Sequence, residues 1–218
     1  MGMDFVSIGA GALTLAAFAG VSSGALYSTH SSEATFNLAV GGAGNVVSQD
    51  FQGFALGDDM TGAGTFLSGV EASTNLGALE VFGVNNRMSG LNGGTTVRAD
   101  EEAYYQFDYS LPYLGAAFWI ASWDPESGPA TIEVFLEGGA SDSFQVSQTG
   151  ASESDDPVFV GITSGLAITR IVIHEPIENG GGNEEVAFSW VGVSRVPGPG
   201  AAAAMALGMV GVGVRRRR

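Results

Sequence analysis

The sequence predicts an all-β protein, a jelly-roll-like β-sandwich flanked by an apolar helix at each end. Three observations predict it. The middle of the chain breaks into about eleven short apolar runs, roughly 8–14 residues apart, as sandwiches of short strands do. Gly, Asn, Asp and Pro bound those runs, and the 218 residues include 34 Gly. One run, Thr131-Ile-Glu-Val-Phe-Leu, alternates strictly and puts Ile132, Val134 and Leu136 on one face. Aromatic residues make up 10% of the chain, too many for a disordered one.

The elements follow in order. Phe5 to Val21 is apolar apart from Ser7 and Thr14 and reads as an export-signal helix. Ser23-Gly24-Ala25 offers a small-x-small cleavage site, with Ala17-Phe18-Ala19 as the alternative, so residues 1–25 are the expected signal peptide. Its weak point is Met1 to Asp4, which carries no cation. Residues 26–195 form the expected sandwich. Its runs are Val46–Phe54, Thr65–Ala72, Leu79–Val84, Thr95–Arg98, Ala103–Tyr109 and Tyr113–Ser122. Thr131–Glu137, Ser143–Thr149, Val158–Ile162, Ile168–Glu175 and Val186–Val193 complete them. No run before the tail has helical periodicity.

Val196-Pro197-Gly198-Pro199-Gly200 can continue neither strand nor helix and closes the domain. Ala201 to Val214 is uncharged. At about 1.5 Å per residue this helix spans roughly 21 Å, short of the roughly 30 Å of a bilayer core. It becomes long enough only if Val196 to Gly200 enters the membrane or the arginines snorkel. Arg215, Arg216, Arg217 and Arg218 resist translocation, which keeps that end cytoplasmic and the body outside.

Breaker, apolar run and terminal arginines, in that order over residues 196–218, resemble the PEP-CTERM sorting signal of bacterial surface proteins. The middle Glu of that signal is Gly198 here. The resemblance implies an exosortase-type processing enzyme as partner and a transient membrane anchor before processing. The body is similar to the jelly-roll domains that such proteins often carry. Gln49-Asp50-Phe51-Gln52-Gly53-Phe54 looks like their first strand. Tyr105 to Pro112 with Leu114 to Phe118 looks like their central hairpin, and Pro157 to Ile162 with Ile168 to Ile173 like their late strand pair. Their closing Ile-Asp-Asn-Val is replaced by Ser189-Trp190-Val191-Gly192-Val193, which removes an Asp.

Charge narrows the partners. Leu26 to Pro197 holds 22 acids (23 less Asp4) against four arginines (eight less the terminal four), a net of −18. Such a body repels nucleic acid and anionic lipid. The chain has no Cys and no Lys, so disulfide staples and most covalent mechanisms are gone. A serine nucleophile would need His30 or His174. His30 sits among serines and Thr29 near the expected mature terminus and reads as mobile. His174 shares an alternating face with Arg170 and reads as a solvated strand end. Zinc lacks its preferred ligands. Gly41-Gly42-Ala43-Gly44 lacks the Gly-Lys-Ser/Thr ending of a phosphate loop.

Adjacent acids are the remaining polar pattern: Asp58 with Asp59, Glu101 with Glu102, Asp124 with Glu126, Asp155 with Asp156. Facing carboxylates would suit glycoside hydrolysis. A structural calcium ion on Asp58, Asp59, Glu184 and Glu185 is the other use of such oxygens, against the plain reading of solvated acids. Tyr104, Tyr105, Tyr109, Tyr113, Trp119 and Trp123 crowd one span. Alternation assigns Tyr105, Phe107 and Tyr109 to one core face, and Trp123 is the ring best placed to stack on a glycan.

The sequence therefore points to an exported, cell-surface-sorted and non-catalytic β-sandwich, a component of an extracellular matrix or envelope layer associated with exopolysaccharide. A carbohydrate-binding module and a secreted hydrolase are the alternatives. No cofactor is expected beyond the calcium ion.

Overall fold

The computed structural model describes residues 26–82, 87–92, 103–121, 129–147, 157–175 and 186–196. The expected signal helix, tail helix and terminal arginines fall outside those residues. Among the described residues no helix is long and apolar enough to cross a membrane.

The described chain is all-β, as expected, apart from one short α-helix and a 3-10 turn at Ala43–Asn45. The strands are β1 Tyr27–His30, β2 Val46–Gln49, β3 Gly62–Ala63, β4 Val70–Thr74, β5 Gly77–Phe82 and β6 Arg87–Asn92. Then come β7 Tyr104–Ala121, β8 Ala130–Leu136, β9 Ser141–Val146, β10 Val158–His174 and β11 Ala187–Ser194. Every pairing between them is antiparallel.

Two long strands organise the rest. β7 and β10 pair along nearly their whole lengths, from His174↔Tyr104 to Val158↔Ile120. Their first and second halves belong to different layers. One layer reads β3-β4-β7-β10-β8-β9, using Tyr104–Tyr109 and Ile168–His174. The other uses Gly115–Ala121 and Val158–Ser164, with β1 beyond β10 and β11 beyond β7. β2 and β6 share the far edge of β11, and β5 extends β6.

The corner between layers is built from register breaks. The β7–β10 ladder slips between Thr163 and Ile168 and again between Ile168 and Arg170. Bulges of this kind bend a strand and add twist. Pro112, which has no N–H to donate, sits in the stretch of β7 without a pairing partner. The sequence suggests a hairpin here, but β7 runs on as one strand.

Each corner also flips the phase of alternation. Tyr105, Phe107 and Tyr109 are buried in the first half of β7, then Ala116, Phe118 and Ile120 in the second. All of them belong to one core. Phe107 stands 4.9 Å from Phe118 and 5.3 Å from Phe188 of β11, ring centre to ring centre. Ile132, Val134 and Leu136 of β8 are buried, as their period of two predicts.

The helix α1, Glu33–Ala39, is a correction to the sequence reading. It is one helical span of seven residues, too short to show a period. Ser32 caps it, its Oγ accepting from the Thr35 N–H at 3.3 Å. Phe36 and Val40, four apart, give it one buried edge.

Candidate functional site

α1 packs on the outer face of the second layer, over a floor with little side chain. Register sets Gly192, Ala117, Gly161 and His30 side by side on β11, β7, β10 and β1. A methyl group built on Gly161 would stand 2.9 Å from the Phe36 ring, and one on Gly115 would stand 3.3 Å from it. The glycines are what let the helix come so close.

Next to that floor the same strands carry a row of rings. Trp190 faces Trp119, and Trp119 faces Phe159, across β11, β7 and β10. Trp119 and Phe159 centre 5.2 Å apart, Phe159 and Trp190 6.2 Å apart. Phe159 is buried with its ring against both indoles, and both indoles remain partly exposed. Their planes are tilted, at 70° and 40°, so the row forms a notched wall rather than a flat shelf.

Trp190 owes its orientation to a bulge. The β11–β7 register shifts between Phe188 and Trp190. Phe188 and Val191, an odd number of residues apart, therefore both point into the core, while Trp190 points out. Simple alternation would have put Phe188 and Trp190 on one side, which is why sequence reasoning missed Trp190.

A cavity of about 430 Å³ opens beside Trp119 and Phe159. That lies in the size range of small-ligand sites. Its apolar wall is Trp119, Phe159, Phe144, Val146, Pro157, Val158 and Val160. Its polar rim is Thr29, His30, Ser31, Ser32, Gln145 and Ser147. His30 is ordered by β1, contrary to the expectation of a mobile end. Its Nε2 lies 2.9 Å from Thr163 Oγ1 and its ring meets Phe36 edge-on at 6.0 Å. Burial lowers its pKa below the usual histidine value.

The other sequence candidates fare differently. Tyr105, Tyr109 and Tyr113 are core residues. Burial, then Asp108 and Tyr113, push the Tyr109 phenol far up. Trp123 lies outside the described residues, as do Glu184 and Glu185. Asp58 and Asp59 are exposed and serve local turns: Asp58 accepts from the Ala55 N–H at 2.8 Å and Asp59 from the Thr61 N–H at 2.8 Å. Among the described residues no three His, Asp or Glu gather as a metal site. Of the sorting motif only Val196 is described; its N–H donates to Ser194 Oγ at 3.2 Å. His174 ends β10, 3.4 Å from Glu133 Oε2 and on the Arg170 face, where alternation placed it. Among the described residues no carboxylate lines the cavity.

The chain matches no family model and no curated protein. Solved structures with some likeness include a mutant of the family 29 carbohydrate-binding module CBM29-2 complexed with cellulohexaose. It has 11% identity and a TM-score of 0.40, over 70% of this chain and 94% of that one. A family 29 carbohydrate-binding module from Piromyces equi is similar at 12% identity and a TM-score of 0.40, over 70% of this chain and 92% of that one. Likeness at this level assigns neither family nor ligand.

Proposed function

We propose that this chain is an exported, surface-sorted, jelly-roll-like β-sandwich that binds carbohydrate without turning it over. The observation that carries the binding is the ring row of Trp190, Trp119 and Phe159 beside a cavity with one apolar and one hydroxyl-bearing side. A sugar is amphipathic in the same way. Its C–H face packs on an aromatic ring, and its hydroxyl rim needs small donors and acceptors. Thr29, Ser31, Gln145 and Ser147 supply such groups at exposed positions. This adds Trp119 as a glycan contact beside the expected Trp123, which lies outside the described residues.

Purified full chain titrated against an array of polysaccharides tests it. Trp119→Ala should weaken binding by about tenfold, on the scale of a single aromatic contact, with the circular dichroism unchanged. Binding that survives both Trp119→Ala and Trp190→Ala overturns the site. Glycan hydrolysis abolished by replacing one carboxylate pair overturns the non-catalytic reading.

Export and sorting rest on the sequence pattern of residues 1–25 and 196–218. Peptide mass analysis of the native surface fraction should find neither the leader nor Arg215–Arg218. Surface-exposed protein that still carries the arginines would reject processing and leave anchoring alone.

A further inference from the structure

We infer that the cavity selects uncharged glycans and excludes those bearing carboxylate or sulfate; this deepens the carbohydrate reading above and rests on it. The ground is the charge inventory of the lining. Thr29, Ser31, Ser32, Gln145 and Ser147 are neutral, and among the described residues no arginine or acid joins them. The chain holds no lysine that could reach in.

His30 is the one titratable group among the described lining residues. Its Nε2 is engaged by Thr163 Oγ1, Phe36 packs on its ring, and burial favours the neutral imidazole. It therefore offers a hydrogen-bonding partner but no standing positive charge at neutral pH.

An anionic sugar entering this space loses water from its charge. It recovers nothing equivalent, because carboxylates and sulfates are normally met by arginine or lysine. The approach is also uphill. Glu33 opens α1 directly after Ser32, and Asp142 on β9 acts electrostatically on Tyr27, whose ring lies 5.8 Å from the cavity's Phe144. Beyond them lies a body with a sequence charge of −18, from 22 acids (23 less Asp4) and four arginines. A neutral sugar meets none of these penalties.

The test uses matched pairs: a neutral β-glucan and a neutral mannan, each beside its C6-oxidised, uronate-bearing form, titrated into the full chain. The neutral form should bind at least about tenfold tighter. The gap should narrow but persist when salt rises from about 20 to about 500 mM, because screening removes the long-range field and leaves the unmatched charge inside. Gln145→Arg should narrow the gap by lifting affinity for the oxidised form relative to the neutral one.

Equal or tighter binding of the oxidised forms, lost on Trp119→Ala, would overturn the selectivity and keep the carbohydrate site. Loss of the whole gap at high salt would also overturn it, by tracing discrimination to the body's field rather than the cavity. Failure of both forms to bind, or binding indifferent to Trp119→Ala, would overturn the carbohydrate reading itself.

Discussion

The indole of Trp190 lies over the bare backbone of Gly192, two residues further along β11. A methyl group on Gly192 would fall well inside contact distance of three ring carbons. The ring is thus held against the sheet by the absence of a side chain, and one end of the ring row depends on it.

Gly192→Ala should push that ring outward. The expected loss is about 1–3 kcal/mol, the usual range for overpacking. Tryptophan emission should shift to the red as the indole meets water. Urea denaturation and fluorescence check both, and an unchanged midpoint with unchanged emission would contradict the packing.

Phe36→Ala should be more damaging. Phe36 is fully buried and touches Gly115, Gly161 and Phe159. Truncating a buried Phe costs about 3–5 kcal/mol. A helix as short as α1 has no stability of its own, so it should detach. Ser32→Ala, which removes only the cap, should cost about 1 kcal/mol. The ordering of the two midpoints in urea is the measurement.

Much of the strand pattern was legible in the sequence, and its failures share a cause. β8 announces itself because every second residue is apolar and its pairing is regular. β4, β5, β9 and β11 fall within or beside apolar runs bounded by turn residues. β7 and β10 each read as two strands, because Ser110-Leu111-Pro112 and Ser164-Gly165 look like turns. In the fold they are corners within one strand, and a corner and a turn use the same residues. β1 was missed because its four residues YSTH carry little apolar signal and depend on β10 for their place. β6 also escaped notice. At the site, Trp119 was visible as part of an aromatic cluster. Trp190 was hidden by a bulge that no alternation count reveals, and His30 by pairing across 133 positions to Thr163.

On the outer face of the first layer, Arg170 Nε lies 2.7 Å from Asp108 Oδ1. The two side chains are 45% and 33% exposed, so solvent screens the pair. A double-mutant cycle with Arg170→Ala and Asp108→Ala should give a coupling of at most about 1 kcal/mol that shrinks in high salt. A coupling several times larger would show that the pair is more deeply desolvated than its exposure indicates.

Acid should act on His30 with a definite sign. Its folded pKa lies below the ordinary histidine value, because burial opposes the charged ring. The unfolded chain therefore takes up the proton first. The stability that this histidine contributes is complete above about pH 6.5 and is lost as pH falls through the lower folded value. His30→Gln should remove that slope. The acidic body gains from protonation over the same range, so the readout is the difference between the two proteins from about pH 7.5 to about pH 5. A difference that grows as pH falls would reverse the sign and refute the assignment.

Because β7 and β10 pass without a break from one layer to the other, the domain has no seam along which to part. Amides flanking Phe107 and Phe118 should exchange with deuterium in one shared event rather than layer by layer. A pull applied to the folded chain would load the same two backbones, and the ring row on the outer face would feel it.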